Sequence, residues 1–242
     1  MKKWILLCIC VLFTIGIGGC AEQQPINQPP TDIPATEIVP IASNTPEIMR
    51  RTESIPSGAP ASIDGRIEDG EWGDAAAFEL SDGSLLYLKY AEGALYLAVD
   101  GLVPGTVNVG VLKDGDLWIL HSSAALGSLV FKPFEDRWEL EKNWAWCCRS
   151  NSGGSEVEAL LAAEGWMSHN QFVGNELQTE YLIQVQEEII ITVTYLFRDG
   201  SGAAFWPVDL NEEDLLQFSS PPQVGDRAIF SDDGWVKILV SN

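Results

Sequence analysis

Trp144 and Trp146 stand two residues apart in the stretch Asn143-Trp-Ala-Trp-Cys-Cys-Arg149. On a strand, residues i and i+2 project from the same face, so both indoles point the same way. Asn143 and Arg149 flank them, and Ser150, Asn151 and Ser152 follow. An apolar floor with a polar rim is the usual build of a small-molecule site. Two rings so placed can stack on a sugar ring or another flat ligand, and Trp166, with Trp138, can join them. The candidate ligand-binding residues are therefore Trp144, Trp146, Arg149, Asn143 and Trp166. The competing reading makes this the inward face of a core strand, where large apolar rings ordinarily sit.

Other reactive side chains are sparse. His121-Ser122-Ser123 invites a hydrolase reading, but the chain has no Gly-x-Ser-x-Gly elbow. On a strand Ser122 points away from His121, which leaves the stretch as a polar strand end. Cys147 and Cys148 are adjacent, and a regular strand sends them to opposite faces. They read as two small buried hydrophobes rather than as a bonded pair, which needs a non-strand backbone. No run matches a calcium loop, and no metal site is expected.

These residues need strands to position them. Leu85–Tyr90 alternates, then Ala91-Glu92-Gly93 turns into a returning strand with Leu95, Leu97 and Val99 on one face. Val107, Val109 and Val111 mark a third strand, and Lys113-Asp114-Gly115-Asp116 turns into a fourth, Leu117–His121. Leu129–Phe131, Trp144–Cys148, Tyr181–Val185, Ile189–Phe197 and Val236–Val240 follow. The pair around Gln186-Glu187-Glu188 reads as a second hairpin, and Met167–His169 as a loop before it. Ser155-x-x-Glu158 is a capping box that opens a helix closed by Gly165. Asn211 with Asp214 caps a further helical turn through Leu216. Short strands with regular Gly and Asp turns point to an all-β fold, an antiparallel β-sandwich of the immunoglobulin-like or jelly-roll type with one or two short helices.

The packed part opens with Ile63-Asp-Gly-Arg-Ile-Glu-Asp-Gly-Glu-Trp-Gly-Asp-Ala75. Asp64-Gly65 and Asp69-Gly70 are turn signals, and Trp72 in this acidic run reads as a plug into a core. Ile-Asp-Gly, then Glu71-Trp72, then Ala75, with Leu95-Tyr96-Leu97 on a later strand, resembles the opening of family 9 carbohydrate-binding modules and the wider DOMON-like group. The resemblance covers about Ile63 to Gly101. It implies a β-sandwich that binds a ligand without catalysis, with carbohydrate or cell-wall glycan first. In family 9 modules tryptophans and polar side chains hold the sugar, and that carries over here by residue type only. Some DOMON-like domains bind haem b through Met and His, which implies Met167 with His121 or His169 as an alternative ligand pair for electron transfer. A structural envelope module that docks to a partner protein is the third reading.

Residues 1–19 read as a lipoprotein signal peptide. Met1-Lys2-Lys3 precedes an apolar run, and Ile17-Gly18-Gly19-Cys20 resembles a lipobox, which implies a lipid on Cys20. Residues 20–59 are rich in Pro, Gln, Thr and Ser and read as a disordered linker. A spacer of about 40 residues reaches roughly 35 to 100 Å. Residues 60–242 form the domain. The expected location is the bacterial cell envelope, extracytoplasmic and membrane-tethered. With 14 basic against 35 acidic residues the chain carries a net charge of −21. That excludes the basic footprint that nucleic-acid binding needs.

Overall fold

The computed structural model describes residues 50–242 apart from 136, 149–154, 175, 186–187, 211–221, 229–231 and 242. The expected signal peptide, Cys20 and most of the expected linker lie outside the described residues, as do Arg149 and the expected helical turn at Asn211–Leu216. Two sheets face each other. The larger runs in the spatial order β1 (Thr52–Pro56), β14 (Val236–Ser241), β11 (Ile189–Phe197), β5 (Gly105–Lys113), β6 (Asp116–Ser122), β7 (Leu126–Phe134), β8 (Arg137–Trp146) and β13 (Arg227–Ala228). A short strand, β12 (Ala203–Trp206), also pairs with β11. The smaller sheet runs β2 (Ala76–Glu79), β3 (Leu85–Ala91), β4 (Ala94–Gly101), β10 (Glu176–Gln184) and β9 (Trp166–Val173). All of these pairs are antiparallel except β1 with β14. The expected all-β sandwich is the observed fold.

Turn chemistry sets the hairpins. Glu92-Gly93 (φ 49° and 82°) and Asp114-Gly115 (φ 56° and 82°) are left-handed pairs, which match the twist of the strands they join. Alternation then sends Leu95, Leu97 and Val99 from one sheet and Val107, Val109 and Val111 from the other into a shared core. Trp166, Tyr181, Tyr195 and Trp206 fill its thickness. The helix α2 (Ser155–Glu164) buries Val157 and Leu160 and ends at Gly165 (φ 72°), whose N–H donates to the Leu161 carbonyl at 2.9 Å.

Three expectations change. β10 and β11 are not a hairpin: β10 pairs with β4 and β9, while β11 crosses to the larger sheet and pairs with β5. Alternation fixes which face a strand buries but not which strand lies beside it. Met167–His169 is not a loop but part of β9, an edge strand whose inward residues include the polar Ser168 and Asn170. Ser168 Oγ donates to the Glu180 carbonyl at 2.7 Å, and Asn170 Nδ2 to the Ser123 carbonyl at 2.6 Å, so these polar groups are satisfied inside. Finally, the proline-rich stretch contributes β1, where Ile55 is fully buried and Pro56 ends an edge strand. Packed structure therefore includes Thr52–Pro56, ahead of the expected domain start at 60.

The opening segment covers the outer face of the smaller sheet. Glu180 is buried there, on the face opposite the core. Its Oε2 accepts the backbone N–H groups of Asp64 (2.9 Å) and Gly65 (2.7 Å), and its Oε1 accepts the indole N–H of Trp72 (2.8 Å). Ala98 lies directly across from Glu180 and leaves room for the ring. Trp72 is 3% exposed, so the plug role holds. Asp69-Gly70 begins a single helical turn, α1 (Asp69–Trp72). Fully buried Lys89 bonds Asp74 Oδ1 at 2.9 Å and the Glu71 carbonyl, 5.2 Å from the Trp72 ring centre. Gly65 is required here: at φ 85°, a Cβ would lie 2.8 Å from the Asn170 backbone.

Candidate aromatic binding face

On the outer face of the larger sheet the cross-strand register aligns Thr194, Asn108, His121, Gly127 and Trp146 in one row over β11, β5, β6, β7 and β8. Beside this row a second apolar cluster forms, in which Leu129, Phe131, Leu140, Leu210 and Trp235 pack together and Trp144 leans on them. Trp235 lies over Gly110, where a Cβ would come within 2.5 Å of its ring. The cluster covers its part of the face, and among the described residues none of its members covers Trp146.

Trp144 and Trp146 stack on each other, with ring centres 5.2 Å apart and planes 17° from parallel. His121 meets both rings edge-on, at 5.4 Å and 5.3 Å. Trp146 lies over Gly127, whose missing Cβ would otherwise sit 2.6 Å from the indole. Trp144 is half-buried, while Trp146 is 55% exposed. The two rings therefore do not make a double platform. One of them braces the other, and Trp146 alone offers its ring widely to solvent.

His121 is fixed from both sides. Its Nδ1 lies 2.8 Å from Asn108 Oδ1 and its Nε2 2.8 Å from Ser123 Oγ. An amide oxygen only accepts, so Nδ1 carries the proton and Nε2 accepts from the hydroxyl. Burial pushes His121 down to about 4, so the ring is neutral at physiological pH. Ser122 points into the core as alternation requires, but Ser123, two residues from the histidine, folds back onto it. This serine, histidine and amide line up as in acyl-transfer sites. Here burial keeps the imidazole neutral, and the two hydrogen bonds fix the orientation of its ring.

The candidate residues do not all converge. Asn143 is half-buried, and its Nδ2 donates to the Pro222 carbonyl at 2.6 Å. Trp166 is not a site residue: it is 1% exposed and packs on Tyr181 inside the sandwich, because it opens β9 on the inward face. Trp138 packs against the second cluster. Cys147 and Cys148 are joined to each other, against the expectation of two buried hydrophobes; only Cys148 is buried. The regular strand ends at Trp146, which frees the backbone for such a bond. The Cys147 N–H donates to the Leu126 carbonyl (3.0 Å), and the Leu126 N–H to the Cys148 carbonyl (2.9 Å), so the segment after Trp146 stays pinned beside Gly127. The haem pair also fails geometrically. Met167 and His169 share the outer face of the smaller sheet, and His121 lies on the outer face of the larger one. Neither histidine can oppose Met167 across one macrocycle.

Asn108, Ser123 and Gly127 were missed as site residues. A signal for one of them existed: the two-residue turn at Asp114-Gly115 fixes Lys113 opposite Asp116, and counting back from it places Asn108 opposite His121.

No family model and no curated protein matches the chain. Among solved structures it is similar to a family 9 carbohydrate-binding module from Caldicellulosiruptor kristjanssonii in complex with cellotriose, at 11% identity and a TM-score of 0.40, over 80% of this chain and 95% of that one. It is also similar to a putative carbohydrate-binding protein from Bacteroides uniformis, at 10% identity and a TM-score of 0.42, over 78% of this chain and 99% of that one. At such values the function rests on the site's own geometry.

Proposed function

We propose that this domain is a non-catalytic binding module for carbohydrate or cell-wall glycan, held outside the cytoplasmic membrane by a lipid on Cys20. The observation that carries the reading is Trp146: a 55% exposed indole, braced by Trp144, seated on Gly127 and edged by a neutral His121. A ring immobilised before binding loses little side-chain freedom on contact, which favours stacking on a pyranose face. The absence of charge on His121 suits a neutral ligand. The lipid anchor rests on the Ile17-Gly18-Gly19-Cys20 sequence.

The test is a glycan array followed by affinity measurement on the best hit. Trp146→Ala should weaken binding at least tenfold, about 1.4 kcal/mol, with the unfolding midpoint little changed. Equal binding by the variant and the wild type rejects the aromatic face as the site.

A further inference from the structure

The sandwich opens at one end into a cleft of about 950 Å³ between the start of β5, the β6–β7 turn and the outer end of β9. Its walls differ in kind from the apolar core. Asp64, Thr106, Gln171 and Arg198 bring a carboxylate, a hydroxyl, an amide and a guanidinium to it, and Phe172, 49% exposed, stands on the rim. The donors are partly committed in a way that leaves outward capacity. Gln171 Oε1 accepts from Arg66 Nε at 2.9 Å, which leaves its NH₂ to donate. Asp64 Oδ1 caps the Arg66 N–H at 2.9 Å, and its second oxygen is not used by that turn. Among the described residues the Arg198 guanidinium has no hydrogen-bond or ion-pair partner.

The cleft is joined to the aromatic face through one residue. Ser123 bonds His121 on the aromatic side with its hydroxyl, lines the cleft, and offers its carbonyl to Asn170, another cleft residue. The β6–β7 turn is thus the shared wall of two adjacent surfaces, one presenting an indole and the other a carboxylate, an amide, a cation and a phenyl ring. Carboxylate oxygens accept from neighbouring hydroxyls, amide and guanidinium groups donate to ring and hydroxyl oxygens, and an aromatic ring covers an apolar sugar face.

We infer that this end cleft is a second sugar subsite, so that the domain takes an oligosaccharide lying across Trp146 and turning over Ser123 into the cleft. This rests on the carbohydrate reading of Trp146. It assigns Phe172 and Arg198 to contacts that a mono- or disaccharide on Trp146 does not reach.

The experiment is calorimetric titration of the protein with β-1,4-linked glucose and N-acetylglucosamine oligomers of two, four and six units. Phe172→Ala and Arg198→Ala remove exposed side chains and leave the core untouched. For the oligomer series that binds, affinity should climb with length. The two cleft variants should lose at least fivefold on the hexamer and nothing on the dimer, while Trp146→Ala weakens both lengths. Wild-type hexamer affinity in both cleft variants, or affinity that does not rise with length, overturns the subsite and leaves the aromatic reading standing. Unaltered binding by Trp146→Ala, or no binding of any oligomer, overturns the aromatic reading and the subsite with it.

Discussion

Gly127 decides how Trp146 is presented. Its backbone is paired directly with that of Trp146, and the indole occupies the space where a side chain would stand. In Gly127→Ala the new methyl meets the ring at 2.6 Å. An exposed ring can swing away at little cost to the core, so the expected result is lost binding without lost stability. Titration of the best glycan should show at least a fivefold loss while the thermal midpoint stays within a few degrees. Full affinity in Gly127→Ala means that the ring's seat is irrelevant to the ligand. Little of this was legible in the sequence. The spacing of Trp144 and Trp146 gave a shared face, but not that one ring would brace the other. Nor did the spacing show the irregular pairing of β7 with β8 between Ser128 and Phe131, beside these rings. A bulge moves residues by one position and leaves no mark in a period-2 pattern.

At the scale of elements, the opening segment and the sheet it covers are coupled through Glu180. Burial raises this carboxyl to about 7, with the nearby Asp64 charge adding to the rise. The folded protein therefore holds a proton that the unfolded chain releases near 4.5, and this group makes stability fall as pH rises from about 4.5 to about 7. His121 acts with the opposite sign. Its folded value of about 4 lies below its unfolded value of 6.5, so its contribution rises over that interval. The two partly cancel in the wild type. In Glu180→Gln the falling component of this group is gone, with a constant cost for the mismatched N–H donors. Urea unfolding should show the wild type losing stability relative to the variant from pH 4.5 to 7 and a constant difference above that. A difference that is flat throughout contradicts the buried, protonatable Glu180. Ile63-Asp-Gly and Trp72 were legible as an anchoring stretch because turn residues and a lone large ring are local signals. Glu180, its partner more than 100 residues away, was not, since an alternating strand gives no sign of which polar residue will be covered. Likewise β9 was lost because Ser168 and Asn170 occupy inward positions, where periodicity reads only apolar residues.

On the scale of the whole molecule, a net charge of −21 sets the protein against polyanions such as nucleic acid. The proposed anchor adds a fixed address. Cys20→Ser should leave the protein uncleaved or release it from membranes, and mass spectrometry of the wild type should find a mature chain that starts at a lipid-bearing Cys20. A soluble mature chain starting elsewhere removes the tether from the account. The central claim remains that Trp146 is the ligand contact, and one measurement reaches it without mutation. In proton–nitrogen NMR each indole N–H gives its own signal. On titration with the best glycan from the array, the Trp146 indole signal should move first and furthest. The signals of buried Trp72, Trp166, Trp206 and Trp235 should stay in place. A Trp146 signal that does not move at saturation, while binding is established by calorimetry, contradicts the account.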